Sequence, residues 1–202
     1  MDGPVLPLGP PRAERADAAR NRVVLLAAAR ELLAEQGAGK VTMDGLAERA
    51  SLGKGTVFRR FGTRAGIFLA LLDEDERVFQ ERVLSGPPPL GPGAGPVERL
   101  VAYGRARCCF LVEHQEVARA ALDGRAPVPA GDGTLSRMHV RTLLGQVNLA
   151  GADVDALALQ LTAALEGPLL LYLSTEDAVA ADDRIERFAR SWQDLVERVC
   201  RA

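Results

Sequence analysis

The sequence predicts an all-α fold of about nine helices. Apolar residues recur at spacings of three and four along most of the chain, which is the period of an amphipathic helix. Aromatic residues make up only 4% of the 202 residues, and the alternating apolar and polar pattern of a half-buried strand is missing. Since 48% of the residues are hydrophobic, the chain can bury a core, yet no stretch resembles the roughly 20 uninterrupted apolar residues of a membrane span.

Three helices are predicted before residue 62. The first has an apolar face of three- and four-residue spacing and ends before Gly37; that face comprises Leu25, Leu26, Ala29, Leu32 and Leu33. Thr42 is expected to cap a short second helix from Met43 to Ala50, because a hydroxyl can accept a bond from an unpaired N–H of the first turn. A third helix is predicted from Lys54 to Phe61, where Gly62 interrupts it.

Six further helices follow from the same periodicity. Thr63 is expected to cap a fourth helix that reaches about Leu84, and a segment rich in proline and glycine, residues 85–96, then forms a loop. Helices resume over residues 97–122 and a second loop occupies residues 123–133. The last helices are predicted over residues 135–149, 153–173 and 182–201.

The near-neutral charge of −2 combines two unlike segments. Residues 12–64 contain 11 Lys/Arg and 6 Asp/Glu, whereas residues 65–202 contain 14 and 20. This asymmetry suggests that the N-terminal segment meets a polyanion, although a solvated basic face would give the same count. The three cysteines and two histidines have no metal-ligand spacing, and the absence of a disulfide framework favours the cytoplasm.

The first three helices have the proportions of a helix-turn-helix unit. One long helix precedes two short ones, and residues 50–53 join the short pair. In the third helix Val57 and Phe61 are four residues apart and can face a core. The basic and hydroxyl side chains on its other surfaces suit guanine edges and phosphates in a major groove; they are Lys54, Thr56, Arg59 and Arg60.

Residues 20–68 resemble the DNA-binding domain of the TetR (tetracycline-repressor) family of regulators. The resemblance lies in LLAAARELLAEQG at residues 25–37 and VTMDGLAERASLGKGTVFRRFGTRAGIF at residues 41–68. It implies a third helix that is the recognition helix. It also implies DNA contacts from Thr42, Gly53, Lys54, Gly55, Thr56, Phe58, Arg59, Arg60 and Arg64. Arg20 and Arg22 are interpreted as solvent-facing, with a minor-groove arm as the alternative.

Four positions depart from the family pattern. Phe58 replaces the usual tyrosine, so that apolar contact with a thymine methyl group takes the place of a hydroxyl–phosphate bond. Ser51 replaces a turn glycine and has to tolerate strain there, and Gly53 replaces a capping serine. Arg64, expected to hold a phosphate, replaces a lysine.

The last two helices are predicted to form a dimer interface. The first of them is apolar nearly all round, and a partner subunit is one way to bury such a helix; an intramolecular core is the alternative. The resemblance implies a four-helix interface between two subunits. The expected interface residues are Leu157, Leu161, Leu165, Leu169, Phe188, Trp192, Leu195 and Val199.

The resemblance also implies a small effector among the C-terminal helices. Aromatic walls with a few polar anchors are typical of such pockets. The candidate residues are Phe68, Leu72, Tyr103, Arg107, Phe110, His114, Met138 and Arg141. Cys108 and Cys109 are interpreted as small buried hydrophobes, with a thiol sensor as the alternative.

These observations predict a cytoplasmic, homodimeric transcriptional regulator with no cofactor and no metal. The predicted organisation is a disordered tail over residues 1–15, a helix-turn-helix domain over 16–66 and an effector-binding and dimerisation domain over 67–202. The expected function is repression from a palindromic operator, relieved by a small molecule. The alternative is a DNA-binding regulator without a ligand, controlled by a protein partner or by nothing. No nucleophile–base motif or phosphate-binding loop favours an enzyme.

Overall fold

The computed structural model describes residues 12–121, 133–172 and 181–201, all of which belong to helices or to the short connections between them. The helices are α1 (Arg12–Gln36), α2 (Met43–Arg49), α3 (Lys54–Phe61), α4 (Arg64–Ser85), α5 (Pro96–Glu113), α6 (Gln115–Ala121), α7 (Gly133–Val147), α8 (Val154–Tyr172) and α9 (Ala181–Arg201). A single 3₁₀ turn, Ala38–Lys40, follows α1. The described residues contain no strand, so the all-α prediction is confirmed.

The ends of the helices follow the capping residues that the sequence indicated. The Thr42 hydroxyl accepts a hydrogen bond of 3.0 Å from the Gly45 N–H, and the Thr63 hydroxyl does the same for Gly66 at 3.1 Å. Asp153, whose capping was not predicted, caps α8 through a 3.0 Å bond from the Ala156 N–H to its carboxylate. Each cap satisfies a backbone donor that has no partner within the helix.

Helices were predicted over residues 97–122 without a boundary between them, and the structure places that boundary at His114, where the backbone leaves the helical conformation between α5 and α6. The segment predicted as a tail differs from the structure. The chain is helical from Arg12, inside the segment predicted as a tail, and residues 1–11 lie outside the described residues. The predicted loop also falls outside them over residues 122–132.

The chain divides into two compact units, residues 1–71 and 72–202, and the division lies within α4. The first unit packs α1, α2, α3 and the start of α4 around an apolar core. Its most deeply buried side chains include Leu25, Val41, Leu46, Val57, Ile67 and Phe68.

The second unit has its own core, formed by α4, α5, α7, α8 and α9. The packing of α5 against α9 is the most extensive contact between two helices among the described residues. Gly104 lies where Trp192 covers α5, and the indole Nε1 donates a 2.8 Å hydrogen bond to the Leu100 carbonyl. The core includes Phe79, Leu100, Tyr103, Val140, Leu143, Leu144, Leu161, Leu165, Trp192 and Val196.

No helix in the described parts of the chain has both the length and the apolar character required to cross a membrane.

Candidate functional site

The third helix is anchored on one side and open on the other. Val57 is fully buried and Phe61 is 9% exposed, so the two residues hold α3 against the first unit. Four side chains on the remaining surface of α3 are exposed, and we call them the basic face: Lys54, Phe58, Arg59 and Arg60. Val57 and Phe61 share the buried face because residues four apart are neighbours on a helix.

Phe58 is the unusual member of the basic face. Its side chain is 52% exposed although phenylalanine is normally buried in proteins. A large apolar ring in solvent contributes little to the stability of its own unit, so the position suits contact with a partner.

The polar contacts of the basic face are weak ones. Lys54 Nζ lies 2.9 Å from a carboxylate oxygen of Asp44, with both side chains more than 60% exposed. Arg59 Nε donates a 3.2 Å hydrogen bond to the Gly55 carbonyl of its own helix. Exposed pairs of this kind contribute at most about 1 kcal/mol, so a phosphate can replace the carboxylate at low cost.

A cleft of about 430 Å³ lies between α1 and α3. Arg22 and Asn21 of α1 line one wall, and Thr56, Arg59 and Arg60 of α3 line the other. Arg22 was predicted to face solvent, and its place beside α3 was not predicted. Its position about one helical turn before the buried Leu25 and Leu26 was the available signal.

The turn between α2 and α3 is strained at Ser51, the position at which the family pattern has glycine. Ser51 has a φ of 52°, in the left-handed region that residues with a Cβ avoid. Gly53 begins α3 from an extended conformation, and no side chain caps the helix there. The expected strain at Ser51 is therefore present in the structure.

Arg64 has its guanidinium engaged inside the first unit. Its Nε donates a 2.7 Å hydrogen bond to the Val41 carbonyl, and its Nη2 donates to the Ala38 carbonyl. Its guanidinium also lies 4.9 Å from the centre of the Phe68 ring. The side chain holds the segment before α2 in place, and nothing in this geometry supports the expected phosphate contact.

Residues 25–71 match the family model described as bacterial regulatory proteins of the tetR family. They form a TetR-family domain. No protein with a curated description matches the chain.

Solved structures share the fold over nearly the whole chain. A TetR-family transcriptional regulator from Pectobacterium atrosepticum is 24% identical, with a TM-score of 0.69 over 90% of this chain and 94% of that one. A regulator of the TetR/AcrR family from Thermobifida fusca is 19% identical, with a TM-score of 0.59 over 87% and 97%. At these identities the similarity establishes the fold.

The predicted effector residues fall at separate places. Tyr103 lines a cavity of about 60 Å³ in the second unit. Phe110 and His114 line a different, open groove of about 350 Å³ between α4 and α5. Phe68 is fully buried in the first unit, and Leu72, just beyond the division in α4, lines neither space.

Two predicted effector residues are surface residues of α7. Met138 is 54% exposed, and Arg141 forms an exposed ion pair with Asp155. Neither lines the cavity, because the buried face of α7 is formed by other residues. Eight other residues, none of them predicted, line the cavity together with Tyr103: Glu76, Phe79, Gln80, Val83, Leu84, Leu135, Ser136 and His139.

Arg107 is a buried charge rather than a cavity-lining residue. Its guanidinium is 1% exposed and bonds to Glu76 and, at 3.3 Å, to Glu166. It also lies over the rings of Phe79 and Phe110, at 5.5 and 5.1 Å from their centres. Burial lowers the pKa of Arg107, but the attraction of Glu76 and the other neighbours outweighs it, so the side chain stays charged.

His114 lies at the break after α5, and its side chain contacts α4. Its Nε2 lies 3.2 Å from a carboxylate oxygen of Asp75, and its Nδ1 lies 2.7 Å from the Phe110 carbonyl oxygen. Burial lowers the pKa of His114, but the bonds to these two acceptors more than compensate, so the pKa is raised above its ordinary value. The Phe110 ring stacks on the imidazole at 4.2 Å.

The expected dimer residues divide into buried and accessible sets. Leu161, Leu165 and Trp192 are at most 4% exposed and belong to the core of a single chain. Leu157, Phe188 and Val199 are partly exposed, and Leu195 is 36% exposed. The Leu169 side chain lies outside the described residues. Any partner surface on α8 and α9 therefore excludes the three core residues.

The cysteines are unpaired thiols in environments that suppress thiolate formation. Burial raises the pKa of Cys108 to about 11, and it also raises the pKa of Cys109 and of Cys200. A thiolate is the reactive form of cysteine. The part of the chain that the structure describes holds no cluster of three metal-ligating side chains.

Proposed function

We propose that the chain is a homodimeric transcriptional repressor that binds a palindromic operator and leaves it when a small molecule binds the second unit. The TetR-family domain and the all-α fold support a DNA-binding regulator. The proposal adds repression, pairing, effector control, a cytoplasmic location and the absence of catalysis.

The basic face of α3 is the observation that best supports DNA binding. Two buried residues anchor this helix while three cationic side chains and a phenylalanine project from it. Arginine and lysine bind guanine edges and phosphates, and an exposed apolar ring suits a thymine methyl group. Thr42, Gly53, Gly55 and Thr56 complete the proposed contact set.

The arrangement in the groove follows from these positions. We assign the phosphate contacts to the ends of the basic face and to the N-termini of α2 and α3, where the helix dipoles favour an anion. Arg22 joins this set because it shares the cleft with Arg59 and Arg60. Arg64 is left out because its donors are bonded to carbonyls of its own unit.

Replacing Arg60 with alanine is expected to weaken binding to every duplex tested. Removing one phosphate contact should also reduce the slope of log Kd against log salt by about 1, because one counterion fewer is released. The measurement is fluorescence anisotropy of the full chain with duplexes from upstream of its own coding sequence. Arg77→Ala is the matched control, since Arg77 is an exposed arginine paired with Glu74 and Glu81 in the second unit. An unchanged slope in Arg60→Ala would contradict the assignment.

The dimer surface that we propose consists of the exposed apolar side chains of α8 and α9. Leu159 is 54% exposed in the N-terminal half of α8, and Leu195 is 36% exposed on α9. They are the large apolar side chains of the described parts of these two helices that solvent reaches most, and a partner subunit would cover them. A dimer also presents two recognition helices to two half-sites about one helical turn apart.

The double variant Leu159→Glu with Leu195→Glu is expected to convert the dimer into a monomer. Two charges in an apolar interface would each have to be desolvated without a partner. Light scattering coupled to size-exclusion chromatography measures the mass directly. Met138→Glu is the control, because Met138 is as exposed as Leu159 but lies on α7. A variant that keeps the dimeric mass would show that α8 and α9 do not form the interface.

One observation favours a regulator without a small effector. The cavity of about 60 Å³ is well below the 300–1,000 Å³ typical of pockets that bury a whole ligand. A protein partner, or no signal at all, would need no larger space. Titration of the DNA complex with candidate effectors distinguishes the two functions, because only the first predicts release.

A further inference from the structure

The small cavity of the second unit has a polar end and an apolar opening. At the polar end, Tyr103 Oη donates a 2.8 Å hydrogen bond to Ser136 Oγ, and the His139 ring lies 4.8 Å from the Tyr103 ring. Two other lining residues, Leu84 and Leu135, are 70% and 39% exposed. Apolar side chains at an opening and a few polar atoms inside are typical of sites for amphiphilic molecules.

Two side chains at or beside this cavity carry a nitrogen atom that lacks a hydrogen-bond partner. In the described parts of the chain, three buried side-chain polar atoms have no hydrogen-bond partner: Arg99 Nε, Arg107 Nε and His139 Nε2. His139 lines the cavity itself. Arg99 is adjacent, since its Nη2 lies 3.5 Å from the carbonyl oxygen of Val83, another lining residue. Buried polar atoms without partners are rare in folded proteins and mark places where a ligand can supply them.

The charges around the cavity favour an anion over a cation. The positive charge of Arg99 acts on His139, and together with burial, which is the larger effect, it lowers the pKa of that histidine to about 4. The imidazole is therefore neutral at pH 7 and can donate one hydrogen bond. Glu76 is the one carboxylate among the lining residues, and its charge is balanced by its ion pair with Arg107. Gln80, Tyr103 and Ser136 carry no charge at this pH.

We propose that this cavity binds the carboxylate end of an apolar monocarboxylic acid. His139 Nε2–H donates to the carboxylate, Arg99 supplies the compensating charge, and the hydrocarbon chain lies along Leu84 and Leu135. The size of the cavity supports this division, because 60 Å³ is less than the ~150 Å³ that an engineered cavity uses to bind benzene. It holds a head group, and the tail remains at the opening. This proposal rests on the proposed function, in which a small molecule controls the protein, and it names the chemical class of that molecule.

The experiment titrates the full chain with octanoate and follows the two histidines by NMR. The chain contains only His114 and His139, so each gives one resolvable imidazole signal, and His114 is the internal control. Octanoate is expected to shift the His139 signal and raise its pKa, because a carboxylate favours the imidazolium form. His114 should not respond.

Three further probes test the class of ligand. Octanol lacks the charge, octylamine reverses it, and butanoate lacks most of the tail. Each is expected to bind at least about tenfold more weakly than octanoate. Equal binding of octylamine or octanol would overturn the proposal, and so would the absence of any shift at His139.

The variant His139→Leu is expected to lose at least about tenfold in octanoate affinity while its melting temperature stays the same or rises. The rise is expected because leucine removes an unsatisfied nitrogen from a buried position. Retained affinity would overturn the proposal. If the variant fails to fold, the His139 titration of the unaltered chain decides. All these readouts are independent of DNA, so octanoate that binds without releasing DNA would refute the proposed function alone.

Discussion

Replacing Arg107 with methionine is expected to lower the free energy of unfolding of the second unit by about 3–5 kcal/mol. Methionine fills similar space but leaves Glu76 and Glu166 without their common partner in a site where all three side chains are at most 15% exposed. The loss comes mainly from two carboxylates that remain buried without compensation, rather than from the two bonds themselves.

Urea unfolding followed by tryptophan fluorescence measures this effect. Trp192 is the only tryptophan in the chain, and it lies in the core of the second unit, so it reports on the unit that the substitution affects. Arg105→Ala is the matched control, because Arg105 lies on the same helix and pairs with Glu186 with both side chains more than 40% exposed. The control is expected to cost less than about 1 kcal/mol.

The triple variant Arg107→Met, Glu76→Gln, Glu166→Gln tests the physical reason. Once the carboxylates are neutral, no charge is left unpaired, and much of the lost stability should return. If the triple variant is as unstable as Arg107→Met, then lost packing against Phe79 and Phe110, and not the unpaired charge, accounts for the effect.

Replacing Gly104 with alanine is expected to destabilise the second unit by roughly 2 kcal/mol or more. A methyl group at this position would overlap the Trp192 indole at Nε1, Cδ1 and Cε2. The indole cannot easily withdraw, because it is 4% exposed and is held by its hydrogen bond to Leu100. In an ordinary helix the same substitution stabilises the protein by about 1 kcal/mol. A loss of stability in Gly104→Ala would therefore indicate the clash with Trp192.

Gly145→Ala provides the comparison for this sign. Gly145 lies in α7 and is exposed, and a methyl group there would meet no other atom within 4 Å. It is expected to stabilise by up to about 1 kcal/mol. Far-UV circular dichroism should follow both variants, since the first one alters the surroundings of the fluorophore. A Gly104→Ala variant that unfolds at higher urea than the unaltered chain would contradict the close packing of α5 and α9.

Adding Trp192→Phe to Gly104→Ala is expected to recover part of the loss. Phenylalanine is smaller and leaves room for the methyl group, so the two substitutions should be less harmful together than their separate effects predict. Additive effects would show that the two residues do not share the contact.

The helices of the first unit were largely predictable because their signals are local. The caps at Thr42 and Thr63 and the apolar spacing of Val57 and Phe61 act within one or two helical turns. The position of the boundary at His114 was not predicted, because no proline or glycine marks it. The strain at Ser51 was expected from the family pattern, and its φ of 52° agrees.

The partners of charged side chains were not predictable in the same way. Arg64 looked like a phosphate ligand, yet the carbonyls that it bonds to lie 23 and 26 residues away in sequence. The expected effector set had the right kinds of side chain, but only Tyr103 lines the cavity. His139 was overlooked because its importance lies in burial and in a missing partner, and neither is visible in sequence.

The sequence by itself determined the helical fold, because helical spacing and caps are local properties of the chain, and its motifs indicated the TetR-type domain. Only the tertiary structure decided which side chains are buried or hydrogen-bonded within the chain and which remain accessible. It placed Trp192 and Leu161 inside one chain, bonded Arg64 within the first unit and left His139 without a partner beside a cavity. The physical reason is that burial and pairing depend on contacts between distant segments, which a local pattern cannot specify.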